Sequence, residues 1–238
     1  MKESRATDDL WTLFRAIAAG ESTTVHRLLA SESQLAAQAV TQGATRESPI
    51  FFSSIGHYVY AGDTALHIAA AGHHLEIIQK LLSLGGHPRA RNRRGAEPLH
   101  YAADDATRNA SFNPGAQTAT IEALIRAGAD PNAGDNDGVA PLHRAVRTRS
   151  VAAVAALLAH SADPRRKSGR GSTPLHLAVQ NTGRGGSGSP EARQRQAEII
   201  RMLVDGGARF SDRDRRGKRV IDRISSSRLA ALGAPRID

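Results

Sequence analysis

The stretch GSTPLHLA at residues 171–178 has three counterparts earlier in the chain, namely TALH at 64–67, EPLH at 97–100 and APLH at 140–143. In every copy a glycine lies five residues before the histidine. Successive histidines are 33, 43 and 33 residues apart, so one copy carries ten extra residues within a 33-residue period. Self-similarity at such a period is typical of an array of stacked structural repeats.

The same register extends in both directions and divides most of the chain into six frames. The frames lie at about 8–35, 60–90, 93–133, 136–166, 169–211 and 215–232, the last being a degenerate cap. Three segments fall outside the register and are predicted to be insertions, at about 36–59, 108–117 and 183–195. Because each repeat is supported by its neighbours, we expect residues 1–238 to form a single domain.

Each frame carries the pattern of two short helices. In three frames proline stands where the first helix is expected to begin, a position at which the missing N–H costs nothing. In the second half of the frame, apolar residues recur in pairs one helical turn apart, as in Ile77, Ile78, Leu81 and Leu82. Such a stripe must be buried, and alanines in the first half allow neighbouring frames to stack closely. The predicted fold class is therefore all-α.

The composition favours small helices over β-sheet. Hydrophobic residues make up 40% of the 238 residues but aromatic residues only 4%, which disfavours an all-β fold. The chain contains no cysteine, so disulfides, thiol nucleophiles and cysteine-bound metals are excluded. It shows neither the run of roughly 20 apolar residues that spans a membrane nor the apolar segment of a signal peptide. We expect a cytoplasmic protein without a membrane partner.

The repeated motifs resemble those of the ankyrin-repeat family. Residues 173–178 (TPLHLA) and 128–133 (GADPNA) match the family signature closely, and four in-phase copies of the first motif make the resemblance specific. The resemblance implies an α-solenoid of about six helix-turn-helix repeats with projecting β-hairpin or turn fingers. It also places the insertions at 108–117 and 183–195 at the edge opposite the fingers.

No feature of the sequence indicates an enzyme. In the ankyrin family the motif histidine is structural, so His67, His100, His143 and His176 are expected to tie helix starts to neighbouring turns rather than to bind a metal ion. The run GRGGSG at 183–188 lacks the flanking strand and helix that a dinucleotide site requires. We expect no catalytic residue, no cofactor and no metal.

The resemblance implies that a partner protein lies in the concave groove formed by the finger tips and the exposed face of each first helix. Most residues at these positions are charged. They are Tyr60, Asp63, Arg93, Arg94, Asp104, Asp105, Asn136, Asp137, Arg147, Arg170, Arg215, Arg216 and Lys218. These residues form the predicted partner-binding site of a non-enzymatic scaffold.

Basic residues dominate this surface and the whole chain. The formal net charge is +9, and 28 of the 32 basic residues are arginine. We favour a monomer that binds a partner protein with an acidic or mixed-charge surface. Electrostatic binding of nucleic acid is the alternative, although arginines and aromatic residues do not alternate along the sequence as base-stacking sites require. An arginine-rich codon bias or a solvated row of charges would give the same pattern.

The insertion at 36–59 and the adjoining Tyr60 hold four of the nine aromatic residues. The other three are Phe51, Phe52 and Tyr58. The sequence leaves two roles open for them: they plug the exposed end of the first repeat, or they form a contact patch.

Overall fold

The computed structural model describes residues 2–44, 50–104, 113–180 and 188–224. Within these ranges the α-helices are α1 (Lys2–Ala19), α2 (Ser22–Ser31), α3 (Ala65–Ala71), α4 (Leu75–Ser83), α5 (Pro98–Ala102), α6 (Pro114–Arg126), α7 (Pro141–Thr148), α8 (Val151–Ala159), α9 (Pro174–Ala178) and α10 (Pro190–Asp205). A short antiparallel hairpin, β1 (Phe51–Phe52) and β2 (His57–Tyr58), precedes α3, and 3-10 helices cover Ser33–Ala36 and Ile221–Arg223. The predicted all-α fold class is confirmed.

The helices lie in two layers. The odd-numbered helices α1, α3, α5, α7 and α9 stack one on the next in an inner layer, and the even-numbered helices α2 to α10 stack in the same order in an outer layer. Aliphatic side chains from both layers form one continuous core, as expected of an α-solenoid. No helix within the described ranges is long and apolar enough to cross a lipid bilayer.

Two of the predicted insertions run into the helix that follows them. Asn113 caps α6 by accepting two backbone N–H groups, so this helix already begins at Pro114. In the same way Ser189 caps α10, which begins at Pro190. The last residues of both predicted insertions are therefore helical, because a polar cap followed by proline is a strong helix start. The first residues of both predicted insertions, 108–112 and 183–187, lie outside the described residues.

A buried glutamine near the start of each of these two helices holds the end of the preceding inner helix. The side-chain amide of Gln117 donates to the carbonyl of Ala102 at 3.0 Å, and that of Gln196 donates to the carbonyl of Ala178. Both carbonyls belong to the last residue of a five-residue helix and have no partner within it. Gln117 belongs to the insertion predicted at 108–117, and the structure gives it a packing role.

Between the helix pairs the chain turns outward into fingers, and each finger bonds to the next one through its backbone. These hydrogen bonds run from Arg93 N to Ala61 O (2.7 Å), from Asn136 N to Arg94 O (2.9 Å), from Gly169 N to Asp137 O (2.7 Å) and from Arg215 N to Arg170 O (3.4 Å). Finger backbones are therefore fixed relative to one another, and their side chains project from defined positions.

The contact between fingers explains the glycine that precedes every motif histidine. Gly95 and Gly171 have φ values of +71° and +74°, in the left-handed region that favours glycine. A Cβ at Gly95 would lie 2.8 Å from the backbone nitrogen of Asn136, and one at Gly171 would lie 2.4 Å from that of Arg215. A side chain at either position would push the next finger away.

The motif histidines connect each inner helix to the following finger. The Nδ1 atom of His67 accepts the backbone N–H of Thr64 at 3.1 Å, so the ring proton is on Nε2, which lies 3.1 Å from the carbonyl oxygen of Ala96. The other three motif histidines repeat this arrangement. The structural role expected of these residues is confirmed.

The fourth frame lacks one hydrogen bond of this cap, and restoring it is expected to stabilise the protein. The hydroxyls of Thr64 and Thr173 donate to Nδ1 of their motif histidine, at 3.1 Å and 2.8 Å, whereas Ala140 has no side-chain hydroxyl. Ala140→Thr should raise the free energy of unfolding by about 1 kcal/mol, measured by urea unfolding. Ala140→Val is the matched control because it has the same shape without the hydroxyl, and an equal gain from valine would contradict the capping explanation.

The described part of the C-terminal cap is short. After α10 the chain forms one further finger and the 3-10 helix Ile221–Arg223 rather than an α-helix. Val220 is fully buried and closes this end of the core. The remainder of the cap predicted at 215–232 lies outside the described residues.

Candidate functional site

Most residues of the predicted partner-binding site are exposed, at finger tips or at the end of α7. Because the finger backbones are bonded to one another, the side chains form a fixed row along one side of the solenoid. The exposed residues are Arg93, Arg94, Asn136, Asp137, Arg147, Arg170, Arg215, Arg216 and Lys218. Of these, Asn136 also donates its side-chain amide to the carbonyl of Arg93 at 3.0 Å. Asp105 lies outside the described residues.

An open groove of about 760 Å³ lies between the inner helices α7 and α9 and the last fingers. These fingers close through backbone hydrogen bonds at 135–139, 168–172 and 214–218. Val139 and Leu177 contribute apolar surface to this C-terminal groove. Its charged lining consists of Arg147, Arg170, Arg215, Arg216, Arg223, Asp137 and Asp214. The groove therefore combines a basic wall with apolar contacts.

Three arginines of the C-terminal groove have no acidic partner among the residues that the structure describes. Arg147 and Arg223 each pair with a carboxylate of the chain itself. Arg170, Arg215 and Arg216 form no such pair, and the guanidinium of Arg215 reaches only a backbone carbonyl, at 3.4 Å. Guanidinium groups bind carboxylates in bidentate geometry. These three side chains are thus available to an anionic group of another molecule.

Asp63 was predicted to contact a partner, and this prediction is wrong because its side chain is fully buried. Its carboxylate accepts hydrogen bonds from the Tyr101 hydroxyl at 3.0 Å, the Asn92 amide at 2.8 Å and the Tyr60 backbone N–H at 2.7 Å. Burial and the Asp63 charge raise the pKa of Tyr101, which keeps the phenol protonated and able to donate. Asp63 therefore joins two frames inside the protein.

Asp104 was also predicted to contact a partner, but its charge is used within the chain. Its carboxylate lies 3.4 Å from His57, 3.2 Å from Arg144 and 3.3 Å from Arg147, and Arg144 also reaches Asp135 at 3.2 Å. Burial alone would raise the pKa of Asp104, but the hydrogen bond from His57 and the charges of the two arginines outweigh burial and hold the pKa at about 2. Arg147 is correspondingly a weaker candidate than the unpaired arginines.

The hairpin β1–β2 covers the part of the inner layer next to this network. The ring of His57 stacks on Tyr101 with centroids 4.0 Å apart and planes 23° apart, and Val59 is fully buried. Phe51 and Tyr58, on the opposite side of the hairpin, are exposed. The inner side of the insertion thus packs, whereas the outer side presents aromatic surface. The sequence alone did not decide between packing and a contact patch, because the insertion occurs once and has no repeat register.

Tyr60 lies close to two arginines of the next finger. The guanidinium carbons of Arg93 and Arg94 are 5.4 Å and 5.2 Å from the centroid of its ring, within the range of cation–π attraction. Arg94 also donates to the Tyr60 hydroxyl at 3.3 Å. Arginine and aromatic side chains are therefore neighbours in space although they do not alternate along the sequence.

Within the described ranges, no group of three or more histidine, aspartate or glutamate side chains is arranged to hold a metal ion.

Comparison with known proteins identifies one family. The family model for ankyrin repeats, three copies long, matches residues 13–113 and 107–214, which is most of the chain. No curated protein matches. The motifs quoted from the sequence, the two helical layers and the family match thus point to the same class of repeat.

Proposed function

Because the chain belongs to the ankyrin-repeat family, whose repeats generally mediate protein–protein interaction, we propose that it is a scaffold that binds a partner protein in the C-terminal groove. Ankyrin repeats are typically non-enzymatic, and the scaffold has no catalytic role in this proposal. The observation that carries the proposal is the set of unpaired guanidinium groups of Arg170, Arg215 and Arg216 around the groove. The partner segment is acidic or of mixed charge.

The groove offers both charge and apolar contact to such a segment. Unpaired arginines attract an acidic segment and raise the rate of association. Asp137, also exposed at the groove, favours a partner that carries a basic group among its acidic ones. Val139 and Leu177 supply apolar surface that can be desolvated by a partner side chain, and such contacts contribute most of the affinity of an interface.

The other half of the inner layer is a poorer site for this role. The chain's own hairpin covers the region around Tyr101, and the carboxylate of Asp104 is neutralised by neighbouring groups. A partner that packs on the ring of Tyr101 itself has to displace His57 from its stacked position. These contacts support the C-terminal groove as the binding site.

Charge reversal in the groove is expected to weaken partner binding strongly. The groove variant replaces Arg170, Arg215 and Arg216 by glutamate, which repels an acidic segment, and should weaken binding about tenfold or more. The measurement is affinity capture from nuclease-treated lysate of the source cell, with bound proteins identified by mass spectrometry. A protein retained by the wild type and lost from the groove variant is the expected result.

The control variant carries the same change in net charge away from the groove. It replaces Arg126, Arg193 and Arg201 by glutamate, all exposed on outer-layer helices, and should retain the partner. Loss of the partner from both variants would indicate a dependence on net charge and contradict a groove site. Binding that disappears from every variant on nuclease treatment would instead support nucleic acid as the ligand, with a steep dependence on salt.

A further inference from the structure

The outer side of the hairpin presents an unusual surface. In the antiparallel register Phe51 pairs with Tyr58 and Phe52 with His57. Because side chains alternate along a strand, His57 and Val59 point towards the protein, and Phe51 and Tyr58 point outward. The two outward side chains are 47% and 44% exposed. They are the exposed large hydrophobic side chains within the described ranges, and such surfaces mark interaction sites.

The outward side chains continue into Tyr60 and the neighbouring finger. The rings of Phe51 and Tyr58 have centroids 4.8 Å apart, and those of Tyr58 and Tyr60 have centroids 6.4 Å apart. We call these three rings the aromatic ridge. Arg93 and Arg94 lie at its end, next to Tyr60. The ridge is thus an apolar strip that ends in two cations.

We propose that the aromatic ridge docks a segment of a partner protein in which a large apolar side chain adjoins two or more carboxylates. This inference rests on the proposed function, because it assumes that the partner is a protein, and it adds a second site with its own chemistry. The apolar side chain packs on Phe51 and Tyr58, and the carboxylates meet Arg93 and Arg94. Aromatic residues and arginine are the residues most enriched at the energetic centres of interfaces.

The positive charges of Arg93 and Arg94 indicate that the docked segment is acidic. Neither Arg93 nor Arg94 forms an ion pair with a described carboxylate; their guanidinium groups reach the Ala44 carbonyl and the Tyr60 hydroxyl. Asp63, the acid nearest in sequence to Tyr60, is fully buried and hydrogen-bonded. Both guanidinium groups therefore retain N–H donors for a carboxylate supplied from outside.

The geometry of the rings favours a protein segment over a single-stranded nucleic acid. Successive bases stack on aromatic rings whose faces are open. The ring planes of Phe51 and Tyr58 differ by 53°, and those of Tyr58 and Tyr60 by 40°. Two guanidinium groups already lie near the ring of Tyr60. A ridged strip of this kind fits an aliphatic or aromatic side chain better than a stack of parallel bases.

The ridge is connected to the C-terminal groove. A cavity of about 230 Å³ is lined by Tyr60 and Arg94 at one end and by Asp137, Val139 and Arg147 at the other. The last three residues also line the C-terminal groove. One extended segment can therefore reach from the ridge into the groove, and two-point attachment raises affinity beyond that of either site.

Selection of peptides tests the ridge without knowledge of the natural partner. The probe is a random peptide library displayed on phage and selected on the immobilised full-length protein, followed by anisotropy titration of the selected peptides labelled with a fluorophore. We expect enriched sequences in which phenylalanine, tryptophan or leucine adjoins aspartate or glutamate. The ridge variant, Phe51→Ser with Tyr58→Ser, should bind these peptides about tenfold more weakly, the loss typical of an interface hot spot.

Two further variants show whether the loss of peptide binding is specific to the rings of the ridge. Phe51→Tyr with Tyr58→Phe keeps both rings and should bind as the wild type does. The groove variant of the previous subsection reports on the groove alone. Because both ridge side chains are exposed, the far-UV circular dichroism spectrum and the thermal midpoint of the ridge variant should stay near those of the wild type. A thermal midpoint lowered in the ridge variant but not in the ring-preserving variant would indicate that the hairpin itself depends on these rings.

The outcomes separate this inference from the proposed function. Peptides that lose affinity on groove mutation but bind the ridge variant normally would overturn the ridge and leave the groove standing. Peptides indifferent to both variants, or no enrichment at all, would overturn both. A labelled oligothymidylate that binds the wild type and is lost from the ridge variant, without peptide binding, would replace the protein segment by single-stranded nucleic acid.

Discussion

Leu142→Asp is expected to unfold several repeats together. Leu142 lies in the first turn of α7, is 1% exposed and belongs to the continuous core. Truncating a buried leucine alone costs about 2–5 kcal/mol, and the substitution also buries a carboxylate that has no partner in the apolar core. The sum approaches the total stability of a typical domain, about 5–15 kcal/mol. The effect spreads because α7 packs between α5 and α9.

Urea unfolding followed by circular dichroism at 222 nm measures this loss. The matched control is Ala155→Asp, which places the same charge at an exposed position of the neighbouring helix α8 and should lower the free energy of unfolding by only about 1 kcal/mol, mainly through helix propensity. If Leu142→Asp changed stability no more than this control, the core assignment of α7 would be wrong.

The stability of the protein is expected to fall as the pH falls from about 6.5 to about 4. Burial lowers the pKa of every motif histidine, and for His100 the neighbouring charge of Arg144 adds to burial and the pKa is about 4 instead of 6.5. A histidine with a lowered pKa is neutral in the folded protein while the unfolded chain already binds a proton. The contribution of these histidines to the free energy of unfolding is therefore fully present above pH 6.5 and is lost as the pH falls towards the folded-state pKa.

His100 alone should account for a loss of about 3 kcal/mol in the free energy of unfolding, because its pKa falls from 6.5 to about 4 on folding. Glu97 acts in the opposite direction, because burial raises its pKa and a proton taken up on this carboxyl favours the folded state. The low pKa of Asp104, about 2, adds a loss only below its unfolded value near 3.8. The decline between pH 6.5 and 4 is therefore governed by the histidines.

Urea unfolding at a series of pH values tests this expectation. His100→Gln should be less stable than the wild type at pH 7.5, because it loses the hydrogen bond to the carbonyl of Val139, but should decline less as the pH falls. His26→Gln, at a half-buried position of α2, is the matched control for the substitution and should change the stability at pH 7.5 less than His100→Gln does. Equal pH dependence in the wild type and His100→Gln would refute the role of the motif histidine as a buried neutral group.

How much of the fold the sequence predicts depends on whether a residue repeats. The helix pairs and the histidine bonds could be predicted because the same local pattern occurs several times at a fixed spacing. The helix starts after Asn113 and Ser189 were not predicted, since both residues lie outside that spacing and their capping role depends on the following proline.

The same distinction between repeated and unrepeated residues applies to the candidate site. Four arginines of the C-terminal groove follow from their position in the repeat and are exposed as expected, namely Arg147, Arg170, Arg215 and Arg216. Arg223, which also lines the groove, was not predicted. Asp63 occupies an equivalent position and was wrongly assigned to the surface, because its partner Tyr101 is 38 residues away and no spacing rule connects the two.

The sequence by itself thus determined the repeat, the helical layers and the row of basic fingers, because each of these depends on neighbours within one period or on the next copy of the same pattern. Only the tertiary structure decided that Asp63 and Asp104 are used internally, that the insertion lies against Tyr101 and that Tyr60 meets Arg93 and Arg94. Each of these contacts depends on a side chain that does not recur at its position in the other frames, such as His57, Tyr60 or Tyr101. A residue that occurs once in the array has no repeated counterpart to indicate its role, so its contacts follow only from how the whole array packs.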